Sequence, residues 1–264
     1  MASDVLSLKE VEASYQRGIK ILRRISLDVS RKDIICLIGP NGAGKSTVLK
    51  SIMGLVNVEK GSITLKGEEI ANTKANRIMR KGVSYVPQGR TVFPEMTVWE
   101  NLRMGGFILK DKSRVEQRIE EVYELFPILR DYRNRKAYTL SGGEQQMLEM
   151  GRILILDPEY MLIDEPSLGL APKIRKMIFE KVRALNQEKM IGILMVEQNA
   201  VQGLETADFG YVLDMGKIRF RGSGVELLED RRVRQLYLGG GDAKKEPDQG
   251  IGLHDPNSYC KRRE

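Results

Sequence analysis

Residues 39–46 have the sequence GPNGAGKS, which matches the spacing G-x-x-x-x-G-K-[ST] of a phosphate-binding loop. Glycines let such a loop turn tightly and point its amide N–H groups toward an anion. A lysine supplies a point charge to the β- and γ-phosphates, and a serine hydroxyl can ligate Mg²⁺. A plain glycine-rich helix cap would explain neither. The predicted phosphate-binding residues are Gly39, Asn41, Gly42, Gly44, Lys45, Ser46 and Thr47.

A pair of acids follows a second apolar run, in the sequence YMLIDE at residues 160–165. Asp164 at the end of this strand is placed to hold the Mg²⁺ shell, and Glu165 is placed to polarise an attacking water. Neighbouring residues at a strand end can point in different directions, so the two acids can have separate roles. The alternative is that they are ordinary acids at the start of a loop.

The third motif is LSGGEQ at residues 140–145, which has the pattern of a helix start. Ser141 can cap the helix with Glu144 as its reciprocal partner, while Gly142 and Gly143 leave backbone N–H groups uncovered. On its own, the motif would predict only a capped helix.

Together and in this order, the three motifs resemble those of ABC-type ATPases, and the resemblance covers residues 5–238. It implies that ATP and Mg²⁺ are bound, and that Ser141–Glu144 face the γ-phosphate held by a second ATPase subunit. It also implies that Tyr15 stacks on adenine and that Gln88 contacts Mg²⁺ and water. Gln198 stands where most members carry a switch histidine, so γ-phosphate sensing falls to a neutral amide.

Longer segments resemble the smaller-type ATPase subunits of branched-chain amino acid importers: VPQGRTVFPEMTVWENL (86–102), DEPSLGLAP (164–172) and MVEQNA (195–200). This implies transmembrane permease subunits as partners, an indirect solute-binding protein, and a cytoplasmic position on the inner face of the membrane. The second ATPase subunit is either identical or a paralogue. Importers of urea or short amides remain an alternative, and so does a soluble ABC ATPase acting on nucleic acid or ribosomes.

Strand-like and helix-like segments alternate along the chain, which favours an α/β fold with parallel strands. Strands are predicted at 22–29, 34–38, 61–65, 83–86, 160–164, 191–196 and 209–213. The resemblance implies a P-loop nucleotide-binding domain over 1–238, with a RecA-like core (1–90 and 156–238), an antiparallel β subdomain and a helical subdomain at about 91–155. Residues 239–264 are predicted to form a flexible polar tail.

Helix starts in the 95–155 region are predicted from the Ser/Thr-x-x-Glu capping pattern. The three pairs are Thr97 with Glu100, Ser113 with Glu116, and Ser141 with Glu144. Each would satisfy two backbone N–H groups at a helix N-terminus.

Composition excludes several chemistries. The only histidine is His254, so no histidine mechanism can operate in the body of the fold. Cys36 and Cys260 lie in an apolar run and a polar segment, and they fit neither a disulfide framework nor a zinc site. No apolar run approaches the roughly 20 residues of a membrane span. The net charge of +7 keeps anionic partners open, but few aromatics accompany the basic clusters, so no nucleic acid partner is expected.

Overall fold

The computed structural model describes residues 4–15, 19–89 and 91–238, and within them two sheets form the frame of the molecule. The larger has the strand order β10-β9-β3-β8-β7-β6, with all pairs parallel except β9 and β10. Its strands are β3 (Ile34–Ile38), β6 (Val83–Val86), β7 (Tyr160–Asp164), β8 (Gly192–Val196), β9 (Phe209–Asp214) and β10 (Lys217–Ser223).

The second sheet is antiparallel and has the order β2-β1-β4-β5. Its strands are β1 (Val5–Ser14), β2 (Lys20–Ser30), β4 (Asn57–Leu65) and β5 (Glu68–Glu69). The α/β prediction with an added antiparallel part is therefore confirmed.

Two apolar clusters cover the two faces of the larger sheet, and alternate side chains of its strands enter each one. Ile35 and Leu37 of β3 pack toward the antiparallel sheet, while Cys36 packs toward the opposite cluster. On β7, Leu162 and Met161 divide in the same way. Because these strands are buried on both faces, they appear in the sequence as continuous apolar runs rather than as an alternation.

Helices cover both faces of the larger sheet and fill the stretch between β6 and β7 without a strand among the described residues. They are α1 (Lys45–Ile52), α2 (Ala75–Arg80), α3 (Val98–Gly105), α4 (Lys112–Leu125), α5 (Pro127–Asp131), α6 (Gly142–Leu154), α7 (Pro172–Lys189), α8 (Ala200–Thr206), α9 (Gly224–Glu229) and α10 (Arg231–Tyr237). No helix within the described ranges is long and apolar enough to cross a membrane.

Two of the three predicted helix starts are confirmed as capping boxes, at Thr97 before α3 and at Ser141 before α6. The third prediction is wrong. Helix α4 begins earlier, and its N-cap is Asp111, whose carboxylate accepts from the backbone N–H groups of Ser113 and Arg114. Ser113 lies inside the helix and donates its hydroxyl to Asp111 at 2.7 Å. An aspartate accepts these bonds as well as a serine does, so the earlier acid takes the cap.

All seven predicted strands are present, and β1, β5 and β10 are additional. Strand β1 was not predicted because its apolar and polar residues do not alternate regularly. Its register shifts between Leu8 and Val11, where Glu10 has a φ of 50°. The predicted tail at 239–264 lies outside the described residues.

Candidate nucleotide site

The phosphate-binding loop connects the buried strand β3 to helix α1, as its sequence predicts. Gly39 has a φ of 147°, and a Cβ there would lie 2.0 Å from the carbonyl oxygen of Leu213 on β9. Gly44, with a φ of 103°, is the N-cap of α1 and offers no side chain to cover the helix N-terminus. The backbone N–H groups at this helix start have no side-chain cap, and together with the helix dipole they favour an anion at this position. Asn41 and Gly42 are exposed at the tip of the loop.

The Lys45 side chain folds back over this loop. It is 4% exposed, and its ammonium donates to the carbonyl oxygens of Gly39 at 2.8 Å and Pro40 at 3.1 Å. Burial lowers the pKa of Lys45, while Glu165 and Asp164 act in the opposite direction. The ammonium therefore lies beside the anion site, held by neutral acceptors that a phosphate can replace.

Asp164 ends β7 with its carboxylate 2% exposed and both oxygens occupied. Ser46 donates its hydroxyl to Oδ1 at 2.9 Å, and Tyr85 donates its hydroxyl to Oδ2 at 3.0 Å. Burial, reinforced by Asp164, raises the pKa of Tyr85, so the phenol keeps its proton and remains a donor. The phosphate-binding loop and the YMLIDE motif therefore contact each other through the Ser46 hydroxyl and the Asp164 carboxylate.

Glu165 points to a different place from Asp164 because the backbone turns sharply between them. Its φ is 50°, and its N–H donates to the carbonyl of Val196 on β8 at 2.9 Å. Gln88 donates its side-chain amide to Glu165 Oε2 at 2.9 Å. Burial raises the pKa of Glu165, Lys45 lowers it, Asp164 raises it and the Gln88 bond lowers it. A half-buried carboxylate with a raised pKa suits a proton acceptor.

Gln88 follows β6 in an exposed position, and Thr91, three residues further along the chain, is anchored to helix α6. The backbone N–H of Thr91 donates to Glu149, and its carbonyl accepts from Arg152 at 2.6 Å. Because α6 begins at the LSGGEQ motif, one helix carries that motif at its N-terminus and holds the Gln88 loop with its later turns.

Tyr15 follows β1 and lies against the start of α1. Its ring is 55% exposed, and its hydroxyl lies 3.4 Å from the Thr47 hydroxyl. The ammonium of Lys50 lies 5.9 Å from the ring centroid. An exposed aromatic face thus stands beside the phosphate loop, where an adenine ring could stack on it.

The Ser141–Glu144 segment forms no hydrogen bond or ion pair with the phosphate loop or its acids in the part of the chain that the structure describes. Glu144 Oε2 instead accepts from the N–H of Ser141 at 2.7 Å. At Gly143 a Cβ would lie 2.3 Å from Ile174 Cγ2 of α7, so close helix packing requires glycine there. Gly142 is half-buried and Ser141 is exposed.

Gln198 lies between β8 and α8 with an exposed side chain. The residue before it, Glu197, was not predicted as functional although it is 1% exposed and hydrogen-bonded to Ser167. Tyr85 was also missed. Neither residue belongs to a motif of its own. The sequence offered one indication only: Tyr85 lies three residues before Gln88, and Glu197 lies directly before Gln198.

A phosphate loop, two acids on a parallel strand and a helical insertion between Gln88 and those acids define an ATP-binding cassette. Residues 22–168 match the family model described as ABC transporter. The chain belongs to the ABC transporter family and is an ATP-binding, ATP-hydrolysing subunit of that type.

Relatives resemble the chain along almost its whole described length. It is 45% identical over 236 residues to the high-affinity branched-chain amino acid transport ATP-binding protein BraG of Pseudomonas aeruginosa, covering 89% of this chain and 100% of that protein. It is 38% identical to the probable branched-chain amino acid transport ATP-binding protein LivF of Archaeoglobus fulgidus, covering 89% and 99%. A crystal structure of the ADP conformation of an ABC transporter cassette superposes with a TM-score of 0.80 at 29% identity, covering 89% and 99%.

Proposed function

We propose that this chain supplies ATP-driven motion to an importer of branched-chain amino acids. The observation that carries the proposal is the match to BraG, which spans the whole of that relative at 45% identity. The match to LivF gives the same transported class. Transport of the solute itself belongs to separate transmembrane subunits.

ATP would bind first through the phosphate loop. The Lys45 ammonium exchanges the carbonyls of Gly39 and Pro40 for phosphate oxygens, while the loop N–H groups and Thr47 hold the remaining phosphates. Tyr15 provides the aromatic face for adenine. These contacts orient the terminal phosphate toward Glu165.

The residues around Asp164 fit a magnesium ion. Mg²⁺ prefers oxygen ligands and retains several waters, so a serine hydroxyl, an amide oxygen and one carboxylate are sufficient protein donors. Ser46, Asp164 and Gln88 would hold the ion. The described ranges contain no group of three or more acids, cysteines or histidines that could hold a metal, and this type of site does not need one. When bound, the ion neutralises charge on the phosphates.

Hydrolysis would use Glu165 and Gln198. Glu165 accepts the hydrogen bond of the attacking water and aligns it with the terminal phosphate, helped by its raised pKa. The Gln198 amide donates to a γ-phosphate oxygen. An amide cannot titrate near neutral pH, so this contact depends on the presence of the phosphate and not on protonation.

A second ATPase subunit would complete the site. Ser141 is exposed and forms no hydrogen bond with the phosphate loop among the described residues, which suits contact with a γ-phosphate bound by another subunit. Gly143 is buried against Ile174, so it would contribute only its backbone N–H. Each subunit would then hold ATP on its phosphate loop and cover its partner's ATP with the N-terminus of α6. Hydrolysis removes the shared phosphate and allows the pair to separate.

The transmembrane subunits would dock near the Gln88 loop. Phe93 is 38% exposed and Phe107 is 80% exposed, whereas Trp99 and Met96 are half-buried. Trp99 packs on the apolar core of the helical region. We therefore assign the anchoring role to Phe93 and Phe107, on the inner face of the membrane.

The transport proposal is tested by capturing the tagged chain from membranes of its native cells and identifying co-purifying proteins by mass spectrometry. The captured transmembrane subunits are reconstituted in proteoliposomes with this chain and the matching binding protein. Uptake of labelled leucine, urea and acetamide is then measured with and without internal ATP, with Glu165→Gln as the matched inactive chain.

ATP-dependent leucine uptake that disappears with Glu165→Gln is the expected result. Uptake of urea or acetamide without leucine would overturn the solute assignment. Capture of ribosomes or nucleic acid, with no membrane protein, would contradict the transport role itself.

A further inference from the structure

Glu197 connects two loops of the nucleotide site through one buried carboxylate. Oε1 accepts from the backbone N–H of Ser167 at 3.1 Å. Oε2 accepts from the Ser167 hydroxyl at 3.0 Å and from the backbone N–H of Asn199 at 3.3 Å. Ser167 stands two residues after Glu165, and Asn199 directly follows Gln198. The carboxylate therefore bonds to both the hydrolytic loop (165–170) and the switch loop (197–199).

The carboxylate is enclosed on every side that the structure describes. Glu197 is 1% exposed, and its own N–H donates to the carbonyl of Leu37 at 3.1 Å. A Cβ at Gly203 on α8 would lie 3.0 Å from Glu197 Cβ and 2.8 Å from Cys36 Sγ. The side chain is consequently packed between β3, β8 and α8.

Burying an acid here is costly, and hydrogen bonds offset only part of the cost. Burial raises the pKa of Glu197 and the bonds from Ser167 and Asn199 lower it in part, so that the pKa lies at about 7. A fully hydrogen-bonded buried polar group fixes one geometry more strictly than apolar packing does. This arrangement is suited to holding the hydrolytic loop and the switch loop at a fixed distance and orientation.

We propose that Glu197 is a positioning residue that holds the loop of Glu165 and the loop of Gln198 as one unit. Contact of Gln198 with a γ-phosphate then sets the placement of Glu165 through Glu197 and Ser167. This inference rests on the roles proposed above for Glu165 and Gln198. Glu197 touches neither nucleotide nor water in this scheme.

Glutamine at position 197 tests the link sharply because it is nearly the same size. Two backbone N–H groups, of Ser167 and Asn199, point at different oxygens, and a backbone N–H can never accept a bond. An amide has only one oxygen, so Glu197→Gln must lose the backbone bond to one of the two loops in either orientation. Where the lost bond is that of the Ser167 N–H, only the Ser167 hydroxyl still joins position 197 to the hydrolytic loop. Ser167→Ala removes only the hydroxyl bond and leaves both backbone bonds in place.

The experiment measures kcat, KM and the ATP dissociation constant of the full chain for wild type, Glu197→Gln, Ser167→Ala, Gln198→Ala and the double variant Glu197→Gln/Gln198→Ala. We expect Glu197→Gln to lower kcat at least 10-fold and Ser167→Ala about 3-fold, with ATP affinity within twofold of wild type. The kcat of the double variant should be no lower than that of the slower single variant, because both changes break the same connection between Gln198 and Glu165.

A matched control separates positioning from stability. Asn186 is 7% exposed and donates its amide to the carbonyl of Ile191 at 3.0 Å, a residue of neither loop. Asn186→Ala should lower the melting temperature while kcat stays within twofold of wild type. If Glu197→Gln fails to fold, the same comparison with Gln198→Ala is made on Ser167→Ala.

The proposal is overturned if Glu197→Gln keeps a kcat within twofold of wild type, if it loses ATP affinity as strongly as turnover, or if its effect adds fully to that of Gln198→Ala. Wild-type turnover in the same assay distinguishes failure of the proposed function from failure of the Glu197 link. A wild type without ATP turnover would refute the proposed function, whereas an active wild type with an unaffected Glu197→Gln would refute only the link.

Discussion

The Lys45 ammonium bonds to the carbonyls of Gly39 and Pro40, and we propose that it exchanges these partners for phosphate oxygens when a nucleotide enters. Replacing it with alanine removes a charged donor that no neighbour can supply. We expect Lys45→Ala to weaken ATP binding by about 3 kcal/mol, or roughly 100-fold. Titration with a fluorescent ATP analogue measures the change.

The control for this variant is Lys81→Ala, which breaks an exposed ion pair with Glu68 far from the phosphate loop in sequence. Its ATP affinity should equal that of wild type. An unchanged affinity in Lys45→Ala would contradict the assignment of this lysine to the phosphates.

Gln198 gives a second residue-level test, because its amide does not titrate. A histidine at this position has a reference pKa of about 6.5, so Gln198→His should add a step in turnover between about pH 6 and 7.5. Glu165 also titrates in both proteins, since burial raises its pKa, so the comparison is the difference between two pH profiles. Superimposable profiles would argue against a γ-phosphate contact at position 198.

Residues with their own motif were predicted from the sequence, whereas residues that act through a neighbour were not. Lys45, Ser46 and Asp164 meet as their motifs indicate. Tyr85 reaches Asp164 only because β6 lies beside β7, with Tyr85 paired to Leu162. That register depends on tertiary pairing, which no local pattern of apolar and polar residues contains.

The turn from β3 into α1 is the element on which the phosphate site depends. At Gly39 a Cβ would meet the Leu213 carbonyl oxygen at 2.0 Å, whereas at Gly42 no atom lies within 4 Å. Both residues have positive φ, so the two alanine variants separate backbone strain from collision with β9. We expect Gly42→Ala to lower the free energy of unfolding by about 1 kcal/mol and Gly39→Ala by about 3 kcal/mol or more.

Urea unfolding of both glycine variants measures these losses. Equal losses would show that β9 moves aside at little cost, and they would contradict the close approach of β9 to the loop. The comparison concerns stability alone, because both glycines also lie within the predicted phosphate loop.

Element boundaries show where local patterns are insufficient. The sequence at 111–116 contains two possible caps, Asp111 and Ser113, and the helix uses the earlier one. In β1 the buried apolar side chains are Leu6, Leu8, Val11 and Ala13, so their alternation breaks by one residue near Glu10. A bulge adds one residue, so the later side chains of the strand switch between odd and even positions. The two-residue alternation by which a strand is predicted from sequence is then lost.

At the scale of the whole molecule, one chain carries two half-sites that share no hydrogen bond or ion pair among the described residues. The phosphate loop gathers Asp164 and Glu165, while Ser141 lies exposed at the start of α6. A second copy can complete both sites at once with two-fold symmetry. ATP bound by a chain that cannot hydrolyse it should therefore hold the pair together.

We expect Glu165→Gln to double its molar mass when Mg-ATP is added, as measured by light scattering on a sizing column. Adding Ser141→Arg should keep it monomeric, because the arginine side chain fills the space that a partner's γ-phosphate occupies. ATP affinity of the monomer should be unchanged. A dimer that is indifferent to Ser141→Arg would contradict the composite site, and a monomer that binds ATP without pairing would contradict pairing between identical chains.

We propose that this chain hydrolyses ATP with Glu165 as the residue that activates water. The most direct measurement compares Glu165→Gln with wild type for ATP binding and for phosphate release on the same samples. The predicted result is unchanged ATP affinity with phosphate release slowed at least about 100-fold, equivalent to about 2.7 kcal/mol in the barrier. Phosphate release at the wild-type rate from Glu165→Gln would contradict the account.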